Sequence, residues 1–165
     1  MTYSVENIIQ CKKSIQRIRR INMKLDNRHL RGDIDLVCDL PDIKLVMFLR
    51  RLQFFPEDFT VGLRIETPNP FLDSSIVLLR FQGPHGGHIS PDGDIHNSYH
   101  IHYYSEDDLR HRRKKASVAN KLPGTFNSYD EAVVQFLEYC NIKDPNGIFA
   151  EERSRLHQMQ LCFLS

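Results

Sequence analysis

The sequence predicts an α+β fold: an antiparallel sheet of four to six strands, with an N-terminal helix and two C-terminal helices. Apolar and polar residues alternate over several segments between Asn22 and Tyr104, the period-two signature of half-buried strands. Helical spacing is confined to the two ends of the chain. The order helix, strands, helix, helix is that of helices packed on one face of a meander. A chain of 165 residues fits one domain spanning 1–165, since typical domains hold ~100–200 residues.

Ser4 is placed to cap the first helix, with Glu6 in its first turn, where a carboxylate complements the helix dipole. Val5, Ile8, Ile15 and Ile18 recur at helical spacing, with Cys11 close to that face. Lys12, Lys13, Arg17, Arg19 and Arg20 fill most of the rest, which predicts an amphipathic helix of about four turns with a solvated basic side. From Asn22 the period changes. Met23 and Leu25, then Ile34, Leu36 and Cys38, alternate with Lys24, Asp33, Asp35 and Asp39, giving strands with a turn at His29 to Gly32. Ile43 to Leu52 fits both periods, and its β-branched and aromatic content favours a strand ended by Pro56. Phe59, Val61, Leu63 and Ile65 form a clear alternating strand.

Ile76-Val77-Leu78-Leu79-Arg80-Phe81 is apolar on both faces until Arg80, which places it centrally in the sheet. The loop Gly83 to Asn97 holds four glycines and two prolines, and loops of that length are usually functional or disordered. In the strand Tyr99 to Tyr104, Tyr99, Ile101 and Tyr103 share one face; His100, His102 and Tyr104 share the other. An acidic patch, Glu106 to Asp108, precedes a basic one, Arg110 to Lys115. Ser128-Tyr129-Asp130-Glu131 reads as a capping box. After it Ala132, Val133, Phe136, Leu137 and Cys140 trace a helical stripe that stops at Asn141. Asp144 to Gly147 is a turn, and a last helix turns Leu156, Met159 and Leu161 inward.

A net charge of +1 implies neither a nucleic-acid nor a membrane partner by itself. Cys11, Cys38, Cys140 and Cys162 show no paired spacing, which argues against a zinc ribbon or a redox motif. No run is long enough to span a bilayer and no signal-peptide core is present. The expectation is a cytoplasmic protein with no membrane contact.

Five of the eight histidines lie between His85 and His102. A His-x-His pair on a strand puts two imidazoles on one face, where both reach one ion. His85, His88, His100 and His102 are therefore candidate ligands for a divalent metal such as Zn, Mn or Ni, with Asp92, Asp94 and His96 in reserve. The alternative is metal-free acid–base work by His100 and His102, as in cleavage of RNA through its 2′-hydroxyl. Arg80 then stabilises the phosphorane charge, and Tyr99, Tyr103 and Tyr104 offer stacking surfaces for bases. Gly93, His100-Ile101-His102 and Glu106 partly match the first cupin motif, but its closing glycine is absent and no second motif follows.

Phe59-Thr60-Val61-Gly62-Leu63, Val77 to Gly83 with a histidine just beyond, His100-Ile101-His102 and Phe136 to Ile142 together resemble an uncharacterised prokaryotic family, often encoded on prophages and other mobile elements. His85, His100 and His102 are the matching histidines, and the 106–115 insert is where this chain departs. The resemblance implies a mobile-element accessory protein and no defined activity. The expected function is thus a nuclease-like hydrolase acting on nucleic acid. The alternative is a non-catalytic toxin, antitoxin or anti-defence (anti-CRISPR) factor that binds nucleic acid or a host defence protein. A sheet edge left exposed would allow a homodimer.

Overall fold

The computed structural model describes residues 3–66, 74–85, 98–113, 115–116, 118–120 and 126–162. Helix α1 (Val5–Gln10) is capped by Ser4, whose hydroxyl accepts the Asn7 N–H. It is far shorter than its periodicity suggests, because the chain leaves it at Cys11 and enters strand β1 (Lys13–Ile15). Lys13, expected on a solvated face, is 2% exposed. Its ammonium donates to the carbonyls of Ile9, Cys11 and Cys140 at 2.7, 2.8 and 2.9 Å, so a buried charge is satisfied by three acceptors. Tertiary pairing overrides helical spacing here.

Strand β2 (Lys24–Asp26) turns into β3 (His29–Cys38) through Asn27 and Arg28, both at positive φ (46° and 69°). That two-residue connection matches the strand twist and replaces the turn expected at 29–32. Leu25 is 59% exposed rather than half-buried. Strands β4 (Leu45–Leu52), β5 (Phe55–Ile65), β6 (Ile76–Gln82), β7 (His100–Tyr103) and β8 (Val118–Asn120) continue the antiparallel meander from β3. A two-residue β9 (Ile142–Lys143) closes the far edge, pairing parallel with β1. Nine strands thus form one mixed sheet among the described residues, more than the four to six expected. The surplus comes from short edge strands that carry no period of their own. Strand β6 has partners on both sides, as its apolar sequence requires.

One face of the sheet is covered. Ile34, Leu36, Met47, Leu49, Val61, Leu63, Leu79, Phe81 and Ile101 are buried there with Val5, Ile8 and Ile9 of α1. Helix α3 (Tyr129–Tyr139) adds Ala132, Val133, Phe136 and Leu137 and packs on β5 and β6. Ser128 caps it by accepting the Glu131 N–H, and Asn141 follows its C-terminus at φ 50°, where Asn tolerates the left-handed region. Helix α4 (Ala150–Cys162) lies against α3, held by the Arg155 guanidinium on both carboxylate oxygens of Asp130 at 2.8 and 2.9 Å. Leu156 is half-buried, but Met159, expected inward, is 44% exposed.

The acidic patch after β7 is itself a short helix, α2 (Glu106–Arg110), with a capping box between Ser105 and Asp108. Arg113 bonds Asp107 and Asp108 at 2.9 and 3.0 Å. The basic run is thereby partly neutralised by the acids that precede it. No helix among the described residues is long and apolar enough to cross a membrane.

Candidate functional site

No helix among the described residues packs on the other sheet face, and strand register assigns its residues. One row across it runs His102, Arg80, Gly62, Phe48, Asp33. The next runs His100, Gln82, Thr60, Arg50, Arg31, Lys24. The histidine pair therefore lies on the same open face as a band of cations. Gly62 is what lets the first row close: a Cβ there would come within 2.2 Å of Phe48 Cζ, so the Phe48 ring lies over the glycine backbone. The Arg64 guanidinium sits 5.7 Å from the ring centre of Phe48.

Phe48, Thr60, Arg80 and Gln82 of these rows line a groove of about 710 Å³ with Lys24, Arg31, Arg50 and Arg64, against two acids, Asp26 and Asp33; the histidine pair stands beyond Arg80 and Gln82, outside that lining. The acids are engaged: Asp26 pairs with Arg31 at 2.9 Å, and Asp33 with Arg64 at 2.9 Å. Arg64 also binds Glu66 at 2.6 Å. Arg50 donates to His29 Nε2 at 2.5 Å, while His29 Nδ1 lies 3.0 Å from the Asn27 carbonyl. Lys24 and Arg80 make no ion pair among the described residues. Burial pulls the Arg80 pKa below its ordinary value by penalising the charged form.

At the end of the rows, His100 is 1% exposed and His102 half-buried. His100 Nδ1 lies 2.8 Å from the Ser98 carbonyl, and its Nε2 lies 3.1 Å from His102 Nε2. With Nδ1–H donating to the carbonyl, His100 accepts at Nε2. His102 then donates through Nε2–H. The His85 ring meets His100 edge-on with centres 5.0 Å apart. Three of the four candidate metal ligands are thus neighbours, and His88 lies outside the described residues, as do His96, Asp92 and Asp94. The 3.1 Å between the two Nε2 atoms is close to the ~3.3 Å that separates two nitrogens on one tetrahedral zinc. Among the described residues no group of three or more His, Cys, Asp or Glu side chains is arranged to hold a metal ion.

The tyrosines do not join this face. Tyr99 packs on Phe59 and Phe126 with ring centres 6.1 and 5.9 Å apart. Tyr103 donates to Glu6 at 2.5 Å. Tyr104 is fully buried and donates to the Arg113 carbonyl at 2.6 Å. They are structural, and the stacking role read for them is corrected. Lys24, Arg31, Arg50, Arg64 and His29 are site residues that sequence reasoning passed over. Each is an outward position of a strand, and counting charge along those positions alone would have exposed the band.

No curated protein and no solved structure matches the chain. A family model does: a family of unknown function (DUF6978) matches residues 2–142, and the chain belongs to that family.

Proposed function

We propose that this member of the family acts on nucleic acid, its open face holding the phosphate backbone and the His100–His102 pair cutting the strand as a nuclease-like hydrolase. The observation that carries the reading is the ladder Lys24–Arg31–Arg50, three cations set directly opposite one another across adjacent strands. Like charges in that position destabilise a sheet, so the arrangement is understandable where a polyanion occupies the groove. Arg80, in the adjacent row, lines the same groove and is the cross-strand partner of His102.

In the metal-free form the imidazole of His102 takes the proton of the attacking 2′-hydroxyl as its oxygen bonds to phosphorus, the bond to the 5′-oxygen breaks and that oxygen leaves with a proton from solvent, and Arg80 meets the charge growing on the phosphoryl oxygens. His100, enclosed and tied to the Ser98 carbonyl, orients His102 and fixes its tautomer. Were Zn, Mn or Ni required, His100 and His102 would be the pair that holds it, and the ion would supply the activation of the attacking oxygen instead. The test combines binding and turnover on labelled RNA and DNA, with and without chelator. His102→Ala is expected to retain binding and abolish cleavage, and readdition of one metal to the chelated protein separates the two chemistries. Cleavage unchanged in His102→Ala would end the hydrolase reading.

The near-complete enclosure of His100 favours a second reading, in which the pair pins strand β7 and the face binds without turnover. This is the behaviour of a toxin, antitoxin or anti-defence factor of a mobile element. Three reduced thiols, Cys11, Cys38 and Cys140, fit a cytoplasmic setting for either reading.

A further inference from the structure

Phosphate contacts alone do not explain three phenylalanines on and beside the groove. Phe48 forms part of its wall, with its ring laid over Gly62 and the Arg64 guanidinium against it. Phe54 and Phe55 stand at the β4–β5 turn, 80% and 58% exposed. Phe55 pairs with Leu52, two residues along β4 from Arg50, so register turns it to the open face. The Asn27–Arg28 turn lies alongside, since the Gln53 N–H donates to the Arg28 carbonyl at 2.9 Å. The tip therefore shows two solvent-facing aromatic rings beside the Arg28 turn, with Phe55 one row along the open face from the cation ladder.

Resting on the nucleic-acid reading above, we infer that the ligand is single-stranded, with unpaired bases stacking on Phe48 in the groove and on Phe54 and Phe55 at the tip. A duplex buries its bases in its own stack and offers this surface only sugar and phosphate. A single strand turns its bases outward, and any base can lie on an aromatic ring while its phosphates follow the cations. The charge band selects a polyanion, and the rings select the form in which its bases are exposed.

Fluorescence anisotropy with the full chain decides this, using one labelled oligonucleotide offered alone and annealed to its complement. The single strand is expected to bind about tenfold or more tighter than the duplex. Phe54→Ala with Phe55→Ala, both surface changes that leave the core alone, is expected to weaken single-strand binding about tenfold with an unchanged salt slope. Phe48→Leu, which keeps apolar volume but removes the ring, is expected to act in the same direction. Equal binding of both forms, with the phenylalanine variants indistinguishable from wild type, would overturn the inference and leave backbone binding intact. Absence of binding to either form would remove both. Loss of self-association in the double variant, with oligonucleotide binding unmoved, would reassign the tip as a contact between copies and overturn the inference.

Discussion

The two faces of the sheet are made from the same strands and obey opposite rules. On β6, Ile76, Leu79 and Phe81 enter the covered core, while Val77, Arg80 and Gln82 serve the open side. The covered face is closed by apolar contact, with Phe81 stacked on Phe126 at 5.1 Å and edge-on to Phe136 at 5.3 Å. The open face sets cation beside cation, and Arg80 has no ion pair among the described residues. Stability has been concentrated on one side, and the other is free to be arranged for a ligand.

If that division holds, mutations should sort by face. Phe136→Ala on the covered side is expected to lose about 3–5 kcal/mol of stability in chemical denaturation, with binding altered only through unfolding. Lys13→Ala strands three carbonyls that its ammonium now satisfies, and is expected to lose roughly 3 kcal/mol. Gly62→Ala brings a methyl into the Phe48 ring; a loss of about 1–3 kcal/mol with weakened oligonucleotide binding would show one residue serving both faces. Arg80→Met should do the reverse of the core changes. Melting is expected to be unchanged or slightly improved, while affinity for a single strand falls and the salt slope drops by about 0.7. A destabilised Arg80→Met with normal binding would break the comparison.

A smaller effect concerns titration. Burial pushes the Cys140 thiol up to about 12, so the native state holds its proton where the unfolded chain has released it. The contribution is complete below the ordinary thiol pKa of about 8.5 and is lost as pH rises towards the folded value. Alkylation at mildly alkaline pH should therefore spare Cys140 in the native protein and label it on unfolding.

Much of the covered face could be read from alternation, because apolar periodicity is what burial demands. The pairing of His100 with His102 on one face followed from the same rule. The same rule set Tyr99 and Tyr103 on the face of Ile101, which is core, so the stacking role read for them ran against it; Tyr104, set beside the histidines, is fully buried. The first helix was misjudged because the partner that captures Lys13 is the carbonyl of Cys140, invisible to any local window. The groove escaped notice for a related reason. Its cations arrive singly from β2, β3, β4, β5 and β6, whereas Arg110 and Arg113 of the conspicuous basic run are paired with Asp107 and Asp108.

The pairing of β1 with β9 also carries a consequence for how the chain is made. Lys13 meets Cys140 across 127 residues of sequence, whereas the β3–β8 meander joins neighbours in order. During synthesis the meander and the β1–β3 pair have their partners early, but the β1–β9 edge and the Lys13–Cys140 contact wait for the region around Ile142 to emerge. Closing a loop of that length is an entropic barrier crossed late. The final edge of the sheet is thus expected to form last in refolding, with Lys13 becoming protected from amine modification in the slowest phase.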